Sequence, residues 1–202
     1  MAKLGNKTLW PKGVPDVRWR AHVAVWAAKQ ALSLEGDFVE CGVFGGLLSL
    51  TICEYFKFRE AGPTFWLFDT FTGLPVEQLP ESEKQAAIKQ NRFYTSDCFE
   101  LARKNFAPYP NIRIIRGALP GTLSEPKQLK KIAYLSMDLN NASAERSTIH
   151  ALWDKIVPGA VIVLDDYGFA SHTTQYEMWN DFAKSKGRMV LTLPTGQGLL
   201  IK

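Results

Sequence analysis

No apolar stretch of eighteen or more residues occurs in the 202-residue chain, and residues 1–11 lack the apolar core of a signal segment, so neither a membrane span nor export is expected. Cysteine is scarce: Cys41, Cys53 and Cys98 are an odd number without metal-type spacing, which fits reduced thiols in the cytoplasm rather than a disulfide framework or a zinc site. Histidine is equally rare, with only His22, His150 and His172. The 24 lysines and arginines outnumber the 20 acids by four but are scattered, with no basic stripe interleaved with aromatics, so a nucleic-acid surface is unsupported. There is no internal repeat and no low-complexity segment. What remains is 46% hydrophobic and 22% charged residues, the ordinary balance of one well-buried globular unit.

The stretch that organises the chain is Asp37-Phe38-Val39-Glu40-Cys41-Gly42-Val43-Phe44-Gly45-Gly46. An apolar run ends in an acid and a glycine-rich turn, and residues 47–58 follow with helical spacing, which predicts strand, loop and helix. Glycines let a ligand approach the backbone, and the opening of a helix aims N–H groups at it. The spacing is G-x-x-G-G rather than the dinucleotide fingerprint G-x-G-x-x-G, which disfavours a nicotinamide oxidoreductase; acid-x-Gly suits S-adenosylmethionine instead.

Around that turn the chain alternates strands and helices. Residues 1–15 are polar, with Gly and Pro, and predict an arm on which Trp10 is the exception; residues 16–202 form the single domain. Residues 16–34 carry apolar side chains at helical steps behind Asp16 as N-cap. Phe65-Trp66-Leu67-Phe68 predicts a second strand ending at Asp69, where a carboxylate accepts from both ribose hydroxyls of a nucleoside; the competing reading is a helix-capping Asp. Residues 70–93 read as a long substrate loop or lid. Helices are predicted over residues 98–106, capped by Ser96 or Asp97, and over 147–157, 158–159 being the stop. Strands are predicted over 112–115, 132–137 and 160–164; a last helix over 174–184 precedes strands over 188–193 and 198–201, an antiparallel pair joined by Pro194-Thr195-Gly196-Gln197. Seven strands with one reversed give an α/β, Rossmann-like class I methyltransferase fold. Two adjacent acids, Asp165 and Asp166, close the fifth strand.

Four motifs in this order, Gly36 to Val43, Asp69-Thr70-Phe71-Thr72-Gly73-Leu74-Pro75, Val157-Pro158-Gly159-Ala160 and Asp165-Asp166-Tyr167, resemble the macrocin-type O-methyltransferase family, which methylates hydroxyls of natural-product sugars. The resemblance covers roughly residues 17–202. It implies that Glu40, Gly42, Val43 and Gly45 line the methionine end of S-adenosylmethionine, with Ser49 near its carboxylate, Asp69 and Thr70 at the ribose, Gly117, Ala118 and Leu119 at the adenine, and Asp138 completing the set. It also implies a divalent cation such as Mg²⁺ on Asp138, Asp165 and Asp166, and a homodimer, to which the aromatic Trp10 and Trp19 add weight. The chain departs from the family at the fourth strand, where Ser136 stands in place of the first acid of Asp-x-Asp.

Methyl transfer to a sugar, polyol or phenol hydroxyl needs alignment and a route for the hydroxyl proton. Asp138, His172 and the Asp165-Asp166 pair are the candidate bases. Two carboxylates at the end of a buried strand favour a cation or strong donors beside them, whereas Ser136 favours a metal-free site in which Asp138 or His172 takes the proton. A catalytically degenerate domain that binds the cofactor as an interaction partner is the alternative to the enzyme.

Overall fold

The computed structural model describes residues 17–60, 62–94 and 96–202. These form six α-helices and seven strands in the order α1 (Arg18–Ala31), β1 (Asp37–Cys41), α2 (Leu47–Tyr55), β2 (Phe65–Asp69), α3 (Glu81–Gln90), α4 (Phe99–Phe106), β3 (Ile112–Arg116), β4 (Ile132–Met137), α5 (Ala142–Leu152), β5 (Ile156–Leu164), α6 (Thr173–Ser185), β6 (Leu191–Thr192) and β7 (Gly198–Ile201). The strands make one sheet in the order β3-β2-β1-β4-β5-β7-β6. β1 to β5 are parallel, and β7 is antiparallel to both of its neighbours, so one strand is reversed, as predicted. No helix among the described residues is long and apolar enough to cross a membrane.

The central strands are buried on both faces, which is why they read as continuous apolar runs rather than as alternation. Phe38, Leu67, Tyr134 and Val163 point to a core closed by α1, α2 and α4. Val39, Phe68, Leu135 and Leu164 point to the opposite core, closed by α5 and α6. On α1 the buried positions are Ala21, Ala24, Ala27, Ala28 and Ala31, small enough for the helix to lie close against β4 and β5.

Several predicted boundaries move. The expected cap Asp16, the arm over residues 1–15 and Trp10 lie outside the described residues, and α1 begins behind Val17 without a side-chain cap. The segment read as a long loop contains α3, whose single buried residue, Ala87, left no apolar stripe to detect. α5 starts at residue 142, because Asn141 Oδ1 accepts from Ala144 N–H at 3.0 Å and caps it. It ends at residue 152, and β5 runs straight through Pro158-Gly159, which sit exposed near the start of the strand, where a missing ladder donor costs little. The helix after β1 stops at Tyr55, and β6 shrinks to two exposed residues, a short edge strand. Asp97 does accept from Phe99 N–H, at 2.9 Å, where α4 begins.

The close approach of the chain just after β1 to the chain just after β4 depends on one glycine. Gly42 has φ +88°, and a Cβ there would lie 1.9 Å from the Asp138 carbonyl oxygen. At Gly45 an added Cβ meets only Leu101, at 3.7 Å. Gly42→Ala is therefore expected to lower unfolding free energy by about 3 kcal/mol, while Gly45→Ala stays within about 0.5 kcal/mol of the parent. Urea unfolding of both variants checks this; equal stability would contradict the close approach.

Candidate functional site

Strand order reverses between β1 and β4, and a crevice opens outside their carboxyl ends, the place where an open parallel sheet takes ligands. It encloses about 610 Å³ and is lined by Glu40, Gly42, Val43, Gly45, Asp69, Thr70, Gly117, Ala118, Leu119, Asp138 and Asp165, together with Arg20, Tyr94, Asn140 and apolar side chains. Of the residues assigned to a cofactor, Ser49 alone does not line it: Ser49 is fully buried, and its hydroxyl donates to Gly46 C=O at 3.3 Å.

Asp69, at the end of β2, builds the glycine turn. Its Oδ2 accepts from Val43 N–H at 2.5 Å and from Phe44 N–H at 2.7 Å, and its Oδ1 accepts from Phe71 N–H at 2.6 Å. Two of the turn's donors are thus given to a carboxylate of the protein rather than left for a ligand. Phe44, Phe71 and Asn140 all have left-handed backbone, at φ 51°, 61° and 56°. Such residues cost of order 1 kcal/mol or more each and persist only where neighbours hold them. All three line the crevice.

Glu40 lies in β1 between Leu67 of β2 and Ser136 of β4. It is 3% exposed, and its Oε2 has no hydrogen-bond partner, nor has the neighbouring Ser136 Oγ. Burial pushes the Glu40 carboxyl up to about 8; hydrogen bonding from Ser49 offsets part of this and the charge of Asp69 adds to it. A pKa above 7 favours the neutral form at neutral pH, and a cationic group beside Glu40 would favour its charged form.

The acids after β4 and β5 come together as the resemblance implies: one oxygen each of Asp138, Asp165 and Asp166 lies within 4.8 Å of the others. A side chain absent from every motif sits among them. Arg20, in the first turn of α1, donates through Nε to Asp165 Oδ1 at 3.1 Å and through Nη2 to Asp166 Oδ1 at 3.0 Å, and Nη2 also contacts Asp165 Oδ2. Gln197 Nε2 donates to Asp165 Oδ1 at 2.8 Å, and Asn140 Nδ2 to Asp138 Oδ1 at 2.9 Å. Every acid of the trio thus accepts from a protein donor, and Asp165 does so through both oxygens. Ser136, buried in β4 outside the crevice lining, adds no ligand. This donor set does not fit a resident divalent ion as long as the guanidinium is in place.

Loss of hydration at the crevice floor holds the Asp138 carboxyl well above the usual carboxylate range; the charge of Asp166 adds to the shift and Arg20 opposes it. His172 does not line the crevice. Its Nε2 lies 3.7 Å from Asp166 Oδ2 and its Nδ1 2.9 Å from Ser171 Oγ, so it stands behind the acid pair.

Tyr94 and Glu145 escaped the sequence reading. Tyr94 follows α3, packs edge-on against Phe44 at 5.7 Å, and keeps its phenol protonated through burial and the nearby charges of Asp138, Asp166 and Asp69. Gln90, at the end of α3, donates to Asn140 Oδ1, tying the α3 segment to the acid cluster. Glu145 accepts from Trp179 Nε1 at 2.7 Å, Gln175 Nε2 at 3.0 Å and Leu139 N–H at 3.3 Å, and burial pushes it up to about 7. Its clue was the Asn141 cap four residues earlier, which puts Glu145 in the first turn of α5.

Among curated proteins, the demethyldecarbamoylnovobiocin O-methyltransferase of Streptomyces niveus is 26% identical over 144 residues, 67% of this chain and 54% of that protein, so the chain spans about half the length of this relative. The solved O-methyltransferase NovP superposes with a TM-score of 0.77 at 20% identity, over 91% of this chain and 79% of that one. The calicheamicin methyltransferase CalS11 gives 0.72 at 17% identity, over 96% and 88%. At such identities these structures show a shared fold. The model of the macrocin-O-methyltransferase (TylF) family matches residues 21–190, from α1 to the residue before β6, and the chain belongs to that family.

Proposed function

We propose that this chain is an S-adenosylmethionine-dependent O-methyltransferase acting on a hydroxyl of a small metabolite, a sugar, polyol or phenol. The observation that carries the reading is the crevice itself: a glycine turn and the buried carboxyl of Glu40, one oxygen of which has no partner, at one end, and a carboxyl with a raised pKa, Asp138, at the other. Relatives carry names in keeping with it, among them a TDP-rhamnose 3′-O-methyltransferase, and O-methyltransferases solved with SAH or SAM share the fold.

S-adenosylmethionine, when bound, supplies a methyl group on a positively charged sulfur. Glu40, Gly42, Val43 and Gly45 would hold its amino-acid end, with Glu40 giving a carboxylate to the ammonium; Asp69 and Thr70 would meet the ribose, and Gly117, Ala118 and Leu119 the adenine. Asp138 takes the proton of the acceptor hydroxyl, since it lines the crevice and its raised pKa suits a base working near neutrality. His172 steadies Asp166 from behind. Tyr94 and the α3 segment wall the acceptor end and exclude water.

We extend the proposal to a homodimer, supported by Trp19 and Trp26, which are 68% and 44% exposed on α1, and to a cytoplasmic location, supported by the free, buried thiols of Cys41, Cys53 and Cys98. Light scattering across a concentration series is expected to give twice the chain mass; a monomer throughout would remove the dimer.

Two measurements test the chemistry. Because Glu40 is mostly protonated in the free protein and a cation lowers its pKa, calorimetry at pH 7 in buffers of different ionisation enthalpy should show about one proton released on S-adenosylmethionine binding. Glu40→Gln should lower that release by close to one proton; a release unchanged in Glu40→Gln, or none in the parent, would remove Glu40 from the site. For the base, activity requires the deprotonated form, so kcat/KM should rise with pH along a limb lying well above the ordinary carboxylate range. Asp138→Asn should lower kcat by roughly 10²- to 10⁴-fold with cofactor affinity retained. A limb near pH 4, or an active Asp138→Asn protein, would move the base elsewhere.

A further inference from the structure

We infer that Arg20 is the resident cation of the three-acid cluster, so that this chain holds Asp138, Asp165 and Asp166 together with a guanidinium and excludes a divalent metal from them. The inference deepens the reading of the site given above, but the metal-binding measurement that tests it does not depend on that reading.

Three observations carry it. The guanidinium uses the oxygens an ion would need: Nε and Nη2 engage both oxygens of Asp165, and Nη2 reaches Asp166 Oδ1 at 3.0 Å. A planar fork spread over two carboxylates is a specific, preorganised arrangement that a lysine or a hydrated ion does not reproduce. Next, Arg20 is placed by a rigid element. α1 is seated on β4 and β5 through its alanine row, and the Arg20 guanidinium lies 5.6 Å above the Phe169 ring, so its position is set from below and from the side. Finally, the coordination set is thinned in the way a lost metal would permit. Ser136, two residues before Asp138, offers no carboxylate, and its hydroxyl is buried and unpartnered outside the crevice lining. Gln197, from the connection between the last two strands, adds a neutral donor to Asp165. With a guanidinium as the only cation at the cluster among the described residues, the acceptor hydroxyl gains no metal contact to acidify it, and its proton must go to a side chain.

The test is Mn²⁺ binding, followed by electron paramagnetic resonance and calorimetry, on the purified protein and on Arg20→Met and Arg20→Lys. The parent is expected to bind Mn²⁺ no tighter than about millimolar, and Arg20→Met at least about tenfold tighter, because a like charge has left three clustered carboxylates. Arg20→Lys, which keeps the charge without the fork, is expected to bind Mn²⁺ with an affinity between those two. Micromolar Mn²⁺ binding by the parent, or stoichiometric divalent metal in the protein as purified, overturns the inference, and does so even if Arg20→Met fails to fold. A folded Arg20→Met protein with parental Mn²⁺ affinity overturns it as well.

Discussion

Negative charge crowded at the carboxyl ends of the parallel strands is the constraint around which the rest of this molecule is arranged. Glu40, Asp69, Asp138, Asp165 and Asp166 are brought to one edge by four strands, β1, β2, β4 and β5, and Glu145 stands in the first turn of α5. Removing so many carboxylates from water is costly unless each gains donors, a countercharge or a proton. The structure uses all three. Asp69 takes backbone N–H groups of the turns it organises, Asp165 and Asp166 take a guanidinium, and Glu145 takes an indole and an amide. Glu40 and Asp138 receive least: burial pushes Glu40 up to about 8, where a proton supplies the missing compensation, and holds Asp138 above the ordinary carboxylate range.

Compensation by Arg20 links the fold to the site. A helix that precedes the first strand has no obvious reason to enter a crevice built from strand ends. Its alanine row gives the reason: small side chains bring the helix axis near the sheet, and the first turn then overhangs the acids after β5. The same closeness that fills the core delivers the cation, so a larger side chain at Ala24 or Ala28 would disturb both at once.

How much of this the sequence shows depends on whether the signal is local. The five parallel strands were legible because each is a short apolar run ending at a Gly or an acid, and the final hairpin because its connection is too short for anything else. The acids at the strand ends were legible for the same reason. α3 was hidden because it buries almost nothing, so the apolar period on which helix reading depends is missing. Arg20 was hidden because its partners lie 145 and 146 residues away and no spacing rule connects them. Two adjacent acids at the end of a buried strand favour a cation or strong donors beside them, but the pair says nothing of where these come from; a metal and a guanidinium satisfy it equally on paper. Glu145 was missed through a boundary error: with the helix started at residue 147, the residue that ties Trp179 and Gln175 to the acid loop fell outside it.

The two undercompensated carboxyls differ in what relieves them, and that difference gives the proposed reaction its order. Glu40 is buried beside the glycine turn and is relieved by a fixed positive group, so it ionises when the cofactor arrives and remains ionised through the reaction. Asp138 faces the acid pair and the acceptor end. A sulfonium in the crevice favours its ionised form, and in accepting the hydroxyl proton it becomes neutral as the sulfonium charge disappears with the methyl group. Net charge in the crevice is then the same before and after transfer, which is the condition for a dry, low-dielectric site to pass from reactants to products without water rearranging to screen a new charge. Arg20, held by Asp165 and Asp166, carries the same charge before and after transfer and so leaves that balance untouched.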